Sequence, residues 1–134
     1  MPSATRLLPA LLLAALPLSA ADEAKVEFNR DVRPLLAAKC YACHGPDEDK
    51  REAGLRLDIR EEAVKEAIRP GKPEASEFWH RISTDDPDDV MPPPSSPKPL
   101  TGAERALLRR WIAQGAEYQQ HWSFLDRKST RLNS

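Results

Sequence analysis

A small, loop-rich, all-helical domain is what this sequence predicts, and three observations predict it. Apolar residues recur at helical spacing near the start and near the end of the body of the chain. Between those stretches lie most of its 13 prolines, which break regular structure into short pieces. The only two cysteines stand together in the run Cys40-Tyr41-Ala42-Cys43-His44. A chain of 134 residues has room for one domain, and a domain of that size builds only a small apolar core.

The cysteine run organises the rest. Cys-x-x-Cys-His is the attachment signature of c-type haem. Two thiols three positions apart on one helical turn face the same side, so each can add to one vinyl group of the same porphyrin. His44 then stands under the iron as proximal ligand, its imidazole neutral and its other ring nitrogen donating to an acceptor. Three other readings compete. A zinc half-site needs a second ligand pair, and His80 and His121 are distant and unpaired. A thioredoxin-like redox pair needs a βαβ context, which is missing here. A structural disulfide leaves His44 unexplained.

The two ends of the chain differ from its body. Arg6, the apolar run Leu7 to Leu18 and the small residues Ser19-Ala20-Ala21 form a secretory signal pattern over residues 1–21. The apolar run is too short to span a bilayer. Residues 126–134 are polar, without periodicity, and resemble translated cloning sequence. The domain is therefore expected over 22–125. With 20 Lys+Arg against 21 Asp+Glu and a formal net charge of -1, the chain has no basic excess to suggest nucleic acid.

In chain order, Phe28, Val32, Leu35 and Leu36 make one stripe of a first helix, with Asn29 as N-cap and Asp31 near its positive end. Pro34 places the regular start of that helix nearer Val32. The helix runs into Lys39-Cys40. His44-Gly45-Pro46 ends it, Gly45 supplying a positive φ. Asp47 to Glu52 is a charged loop. Gly54-Leu55-Arg56-Leu57-Asp58 alternates like a short extended piece, its Arg56 a surface residue or a propionate partner. Glu61 to Ile68 is a weak helix with Ala63, Val64, Ala67 and Ile68 on one face. Arg69 to Pro73 is a turn. Ser76 caps a short helix to Ile82, with Phe78, Trp79 and Ile82 inward and His80 as a conceivable iron ligand. Thr84 to Asp89 is an acidic loop without the spacing of a calcium site.

Val90-Met91-Pro92-Pro93-Pro94 follows. Beyond Met1, Met91 is the sole methionine. The prolines predict an extended loop passing the distal side of the iron, with the Met91 thioether as sixth ligand. The last helix is the best marked: Thr101 and Glu104 form a capping box, Ala103, Leu107 and Trp111 make a stripe with Leu108 and Ile112 beside it, and Gly115 terminates it. Leu100 has only Arg105 opposite it, so a hydrophobic staple is absent. Glu117 to Phe124, with His121 and Trp122, has no evident partner in the chain.

The series Phe28 to Leu36, Cys40 to Gly45, Gly54 to Asp58, Pro70 to Pro73, Arg81-Ile82, Met91 to Pro93, Leu100-Thr101 and Trp111 to Ala116, continuing to His121-Trp122-Ser123-Phe124, resembles the planctomycete-type cytochrome c domain. The resemblance implies a class I cytochrome c-like fold around one covalent haem c. It implies Cys40 and Cys43 at the thioether positions, His44 as proximal ligand and Met91 at the distal position. It also implies the N-terminal fragment of a longer exported protein, in the periplasm or cell envelope.

The function expected is single-electron transfer with His44/Met91 ligation, to a redox protein or to downstream domains, with no catalytic residues and no nucleic-acid partner. The alternative is a haem enzyme or sensor, peroxidase-like or gas-binding, with a labile sixth ligand. A weaker rival is a structural haem or thiol module anchoring a larger protein.

Overall fold

The computed structural model describes Met1 and residues 24–120. The predicted signal segment, the tail, and His121 and Trp122 lie outside the described residues. Among the described residues the architecture is all-helical, without a strand, and no helix is long and apolar enough to cross a membrane. A π turn, Phe28–Val32, leads into α1, Arg33–Lys39, and then α2, Tyr41–His44. A 3₁₀ turn at Glu48–Lys50 precedes α3, Arg60–Glu66. A second at Pro73–Ala75 precedes α4, Glu77–Ser83, and α5, Gly102–Ala113, closes the series.

Pro34 accounts for the unusual entry to α1. It has no N–H to give to the Arg30 carbonyl. The preceding turn widens, so that the Arg33 N–H reaches back to the Phe28 carbonyl and Pro34 falls in the first turn of α1, where its missing donor is not needed. The cap also differs from the expected Asn29. The Asp31 carboxylate accepts from the Glu27 amide at 2.8 Å, while Asn29 accepts from Arg33 Nε at 2.8 Å and donates to the Gln120 carbonyl at 2.7 Å. Asn29 is engaged instead by Arg33 and by the returning chain at Gln120.

Further departures have local causes. The helix does not run through Cys40: α1 stops at Lys39, Cys40 takes φ -125°, and α2 starts a new turn. Gly45 is extended at φ -133° rather than left-handed. A Cβ there would lie 2.3 Å from the Tyr41 carbonyl oxygen, so close backbone approach is what demands glycine. Gly54 lies in a turn and Leu57 and Asp58 in bends, so residues 54–58 do not make a regular extended piece. Arg56 is paired with Asp58 at 2.6 Å, and Leu57 is buried with its N–H on the His44 carbonyl at 2.8 Å. Ser76 stands at the N-cap of α4, but its hydroxyl is turned to the preceding loop. It donates to the Lys72 carbonyl and accepts from the Arg69 amide. Pro92 to Pro94 lie in bends and a turn, not an extended run.

The core joins the two ends of the domain. Phe28, Val32 and Leu36 pack in one buried cluster with Leu108, Trp111 and Ile112 of α5, and with Ala63, Ala67, Ile68, Phe78 and Ile82. Each large side chain buried there contributes about 1.5–3 kcal/mol. The capping box forms as predicted: Glu104 N–H donates to Thr101 Oγ1 at 3.2 Å, and Thr101 N–H to Glu104 Oε2 at 2.8 Å. The buried face of α5 is set by Leu108, Trp111 and Ile112, while Ala103 of the expected stripe is exposed.

The segment after α5 does have a partner in the chain. Tyr118 stacks on Phe28 with ring centroids 4.2 Å apart and lies against Trp111 at 5.4 Å. Its hydroxyl donates to the Leu57 carbonyl at 2.8 Å. Such aromatic pairs are worth about 0.5–1.5 kcal/mol each beyond burial. Gln119 Nε2 donates to the Glu27 carboxylate, and Gln119 Oε1 accepts from the Asn29 amide.

Two predictions follow from these contacts. Tyr118→Phe keeps the stack but leaves the Leu57 carbonyl without its donor, and should lower the urea unfolding free energy by about 1–2 kcal/mol; an unchanged midpoint contradicts it. The hydrogen bond from Arg30, followed by the Glu27 amide, holds the Asp31 carboxyl down at about 2. A depressed folded pKa stabilises fully above the unfolded value and is lost as pH falls through the folded one. The stability difference between the native chain and Asp31→Asn should therefore be constant above about pH 5 and shrink between about pH 4 and pH 2. Acid-titrated unfolding curves test this.

Candidate functional site

The Cys40 turn is placed by the core. Leu36 is buried, and its carbonyl receives the Cys40 N–H at 2.8 Å. The Cys40 carbonyl in turn accepts from His44 N–H at 2.8 Å and from Cys43 N–H at 3.2 Å. One tight turn thus presents both thiols and the imidazole together. The Cys43 carbonyl accepts from Glu52 N–H and the His44 carbonyl from Leu57 N–H, each at 2.8 Å, so the loop after the motif is laced back onto it.

Beside this turn lies a cavity of about 780 Å³ whose wall includes Cys40, Cys43, His44 and Met91. Ala38, Ala42, Ala53, Pro92 and Pro93 make much of the remaining surface apolar. A second cavity of about 420 Å³ adjoins it, and His44, Ala53 and Met91 line both. Leu55, Leu57, Phe78 and Ile82 line the second. Cofactor sites are apolar clefts of this order, about 300–1,000 Å³, with a few convergent polar groups.

Met91 reaches the cavity because its backbone is pinned: its N–H donates to the Arg81 carbonyl at 2.8 Å. Its side chain is 36% exposed. Apart from Met1, it is the only exposed large apolar side chain among the described residues. A thioether this open on the wall of an apolar cavity has room to meet a bound group as well as the protein around it.

The other expected candidates lie elsewhere. His80 is exposed, its Nε2 3.0 Å from the Glu74 carbonyl, and it lines neither cavity. Arg56 is held by Asp58 and lines neither. His121 is outside the described residues. Among those described, no cluster of three or more His, Cys, Asp or Glu side chains is gathered as for a metal ion. Two residues that the sequence did not single out frame the site. The Lys39 ammonium donates to the Pro99 carbonyl at 2.8 Å and pairs with Glu104 at 2.5 Å, tying α1 to the end of the Met91 loop. Arg81 holds its beginning. Their partners lie far along the chain or in loops, where no periodic pattern announces them.

Burial decides the electrostatics. It pushes the Cys40 thiol up to about 12, against the opposing charge of Lys39. It lowers the His44 pKa, with the carbonyl and carboxylate of Glu52 pulling the other way. The imidazole is thereby kept neutral, the form that binds metal. His44 Nδ1 is buried without a hydrogen bond of ordinary geometry, and the Glu52 backbone carbonyl is the acceptor that acts on the ring. The donor set of two thiols, a neutral imidazole and a free thioether around an apolar cavity fits an iron porphyrin.

Residues 40–95 match the family model described as Planctomycete cytochrome C. The match takes in the Cys40 motif at one end and Met91 near the other. No curated protein and no solved structure matches the chain.

In the haem-free protein, timed iodoacetamide labelling at pH 8 should modify the exposed Cys43 roughly tenfold or more faster than Cys40, because the thiolate is the nucleophile. Equal rates in peptide mass spectra contradict the burial of Cys40.

Proposed function

We propose, from the match of residues 40–95 to the Planctomycete cytochrome C family model, that the chain holds one haem covalently through Cys40 and Cys43, ligates the iron with His44 and Met91, and carries single electrons. Haem binding comes with the family. The observation that supports the residue assignment is the convergence of Cys40, Cys43, His44 and Met91, from two distant segments, on one cavity.

The bound iron supplies reversible one-electron chemistry. The chain's own residues set its conditions. Cys40 and Cys43 would hold the haem by thioether bonds. His44 offers a neutral nitrogen from a turn tied to Leu57. Ligation by histidine and a thioether would favour the reduced state relative to two histidines. The alanine and proline walls keep water away and penalise the more highly charged oxidised state. In this reading the electrons pass to a redox protein or to downstream domains of a longer exported chain. Residues 1–21 would direct that export, to the periplasm or cell envelope.

A second reading rests on the exposure of Met91. A thioether so accessible could leave the iron and admit peroxide or a gas, making the domain a haem enzyme or sensor.

The test is expression of the mature domain with haem c maturation, followed by a pyridine haemochrome and spectra in both redox states. Covalent haem should be present, and Cys40→Ala with Cys43→Ala should abolish it. The oxidised form should show a methionine–iron charge-transfer band at the red end of the spectrum, absent in Met91→Ala while haem remains bound. A band unchanged in Met91→Ala removes Met91 from the ligand set. Peroxidase turnover by the unmodified domain favours the second reading.

A further inference from the structure

The nine-residue segment between Arg81 and Met91 is closed on itself by a single residue. The Arg81 carbonyl accepts from Met91 N–H at 2.8 Å. The Arg81 side chain reaches the same end of the loop: Nη1 donates to Asp89 Oδ1 at 2.8 Å, and Nε donates to Glu77 Oε1 at 2.7 Å, back on α4. Arg81 therefore grips the approach to Met91 by backbone and by side chain, and braces both against its own helix.

The loop it closes is internally folded. Asp86 N–H donates to Thr84 Oγ1, Asp88 N–H to Asp86 Oδ1, and the amides of Asp89 and Val90 to the Asp86 carbonyl. Asp85, Asp86, Asp88 and Asp89 are all exposed and repel one another. Arg81 is the cation paired with this loop, through Asp89. It also lines the second cavity together with Met91, Glu77 and Ile82. A side chain at the cavity wall that fixes the residue two positions before the thioether sets where that thioether can stand.

We infer that Arg81 is the positioning residue for Met91: its paired contacts with Asp89 and with the Met91 amide hold the thioether at the cavity. The inference rests on Met91 being the sixth ligand, which the spectrum of the unmodified holoprotein checks first. Arg81 touches no reacting atom in this role and acts only through the loop.

The test uses the haem-loaded protein and imidazole as a competing sixth ligand, read by loss of the methionine–iron band. Asp89→Ala removes the loop arm of the clamp. Glu77→Gln weakens the other arm, at a site of similar exposure, and leaves the loop contact in place. Asp89→Ala should release the thioether at about fivefold lower imidazole concentration, the scale of one lost surface ion pair, while Glu77→Gln shifts it by less than about twofold. Arg81→Gln should match Asp89→Ala or exceed it, and the double substitution should add little to Arg81→Gln alone. Equal shifts in Glu77→Gln and Asp89→Ala would mean a general loosening of α4 and overturn the inference. So would unchanged midpoints in Asp89→Ala and Arg81→Gln. If the unmodified holoprotein lacks the band, the ligand assignment itself fails and the positioning role falls with it.

Discussion

Phe28, Trp111 and Tyr118 form a cluster in which each ring meets the other two, at centroid distances of 5.8, 4.2 and 5.4 Å, and that aromatic contact holds the first and last segments of the domain together. The helices around it are short, and none would persist in isolation. Phe28 begins the turn that leads into α1, and α1 delivers Cys40. Trp111 belongs to α5, whose capped start receives the end of the Met91 loop. With the Trp111 indole N–H on the Glu117 carbonyl and the Tyr118 hydroxyl on Leu57, the same cluster reaches the loop that folds over His44. The cysteine turn is thus positioned by the same core cluster that Cys40, Tyr41 and Tyr118 pack against.

Two segments line the cavity, and each is held differently. The one with the cysteine motif is nearly all local: a few backbone hydrogen bonds fold residues 40–57 onto the motif. The one with Met91 is a proline-rich loop without regular structure, and it needs anchors at both ends. Arg81 and the Met91 amide hold one end, Lys39 and the capping box of α5 the other. Since Lys39 immediately precedes Cys40, the segment that bears the thiols and the segment that bears the thioether are tied through one ammonium group. Prolines suit this loop because they reduce the chain entropy lost when it is ordered.

The site was more legible than the packing. Cys40, Cys43 and His44 are legible because covalent chemistry imposes a fixed spacing, and Met91 because it is unique and flanked by prolines. Asn29 and Ser76 do not cap because their side chains are engaged elsewhere, Asn29 with Arg33 and Gln120 and Ser76 with Arg69 and Lys72, and only the final geometry brings those partners to them. Gly45 showed as necessary but for another reason: the close approach of Tyr41 depends on how α1 and α2 meet. Tyr118 was missed because its partners, Phe28 and Leu57, are distant in sequence and no repeat marks the contact. The face of α5 shifted because its inward side is chosen by what packs on it as well as by its own apolar residues.

By itself the sequence determined the all-helical class, the capped last helix, the haem-attachment motif and the candidate distal ligand. Each follows from local chemistry, whether a spacing, a cap or a residue used once. Only the tertiary structure decided that Met91 shares a cavity with His44, that His80 and Arg56 stand away from it, and that Lys39 and Arg81 hold the distal loop. Those facts depend on contacts between segments far apart in the chain. Such contacts form through burial and hydrogen bonding, which carry no fixed spacing for a reader of the sequence to find.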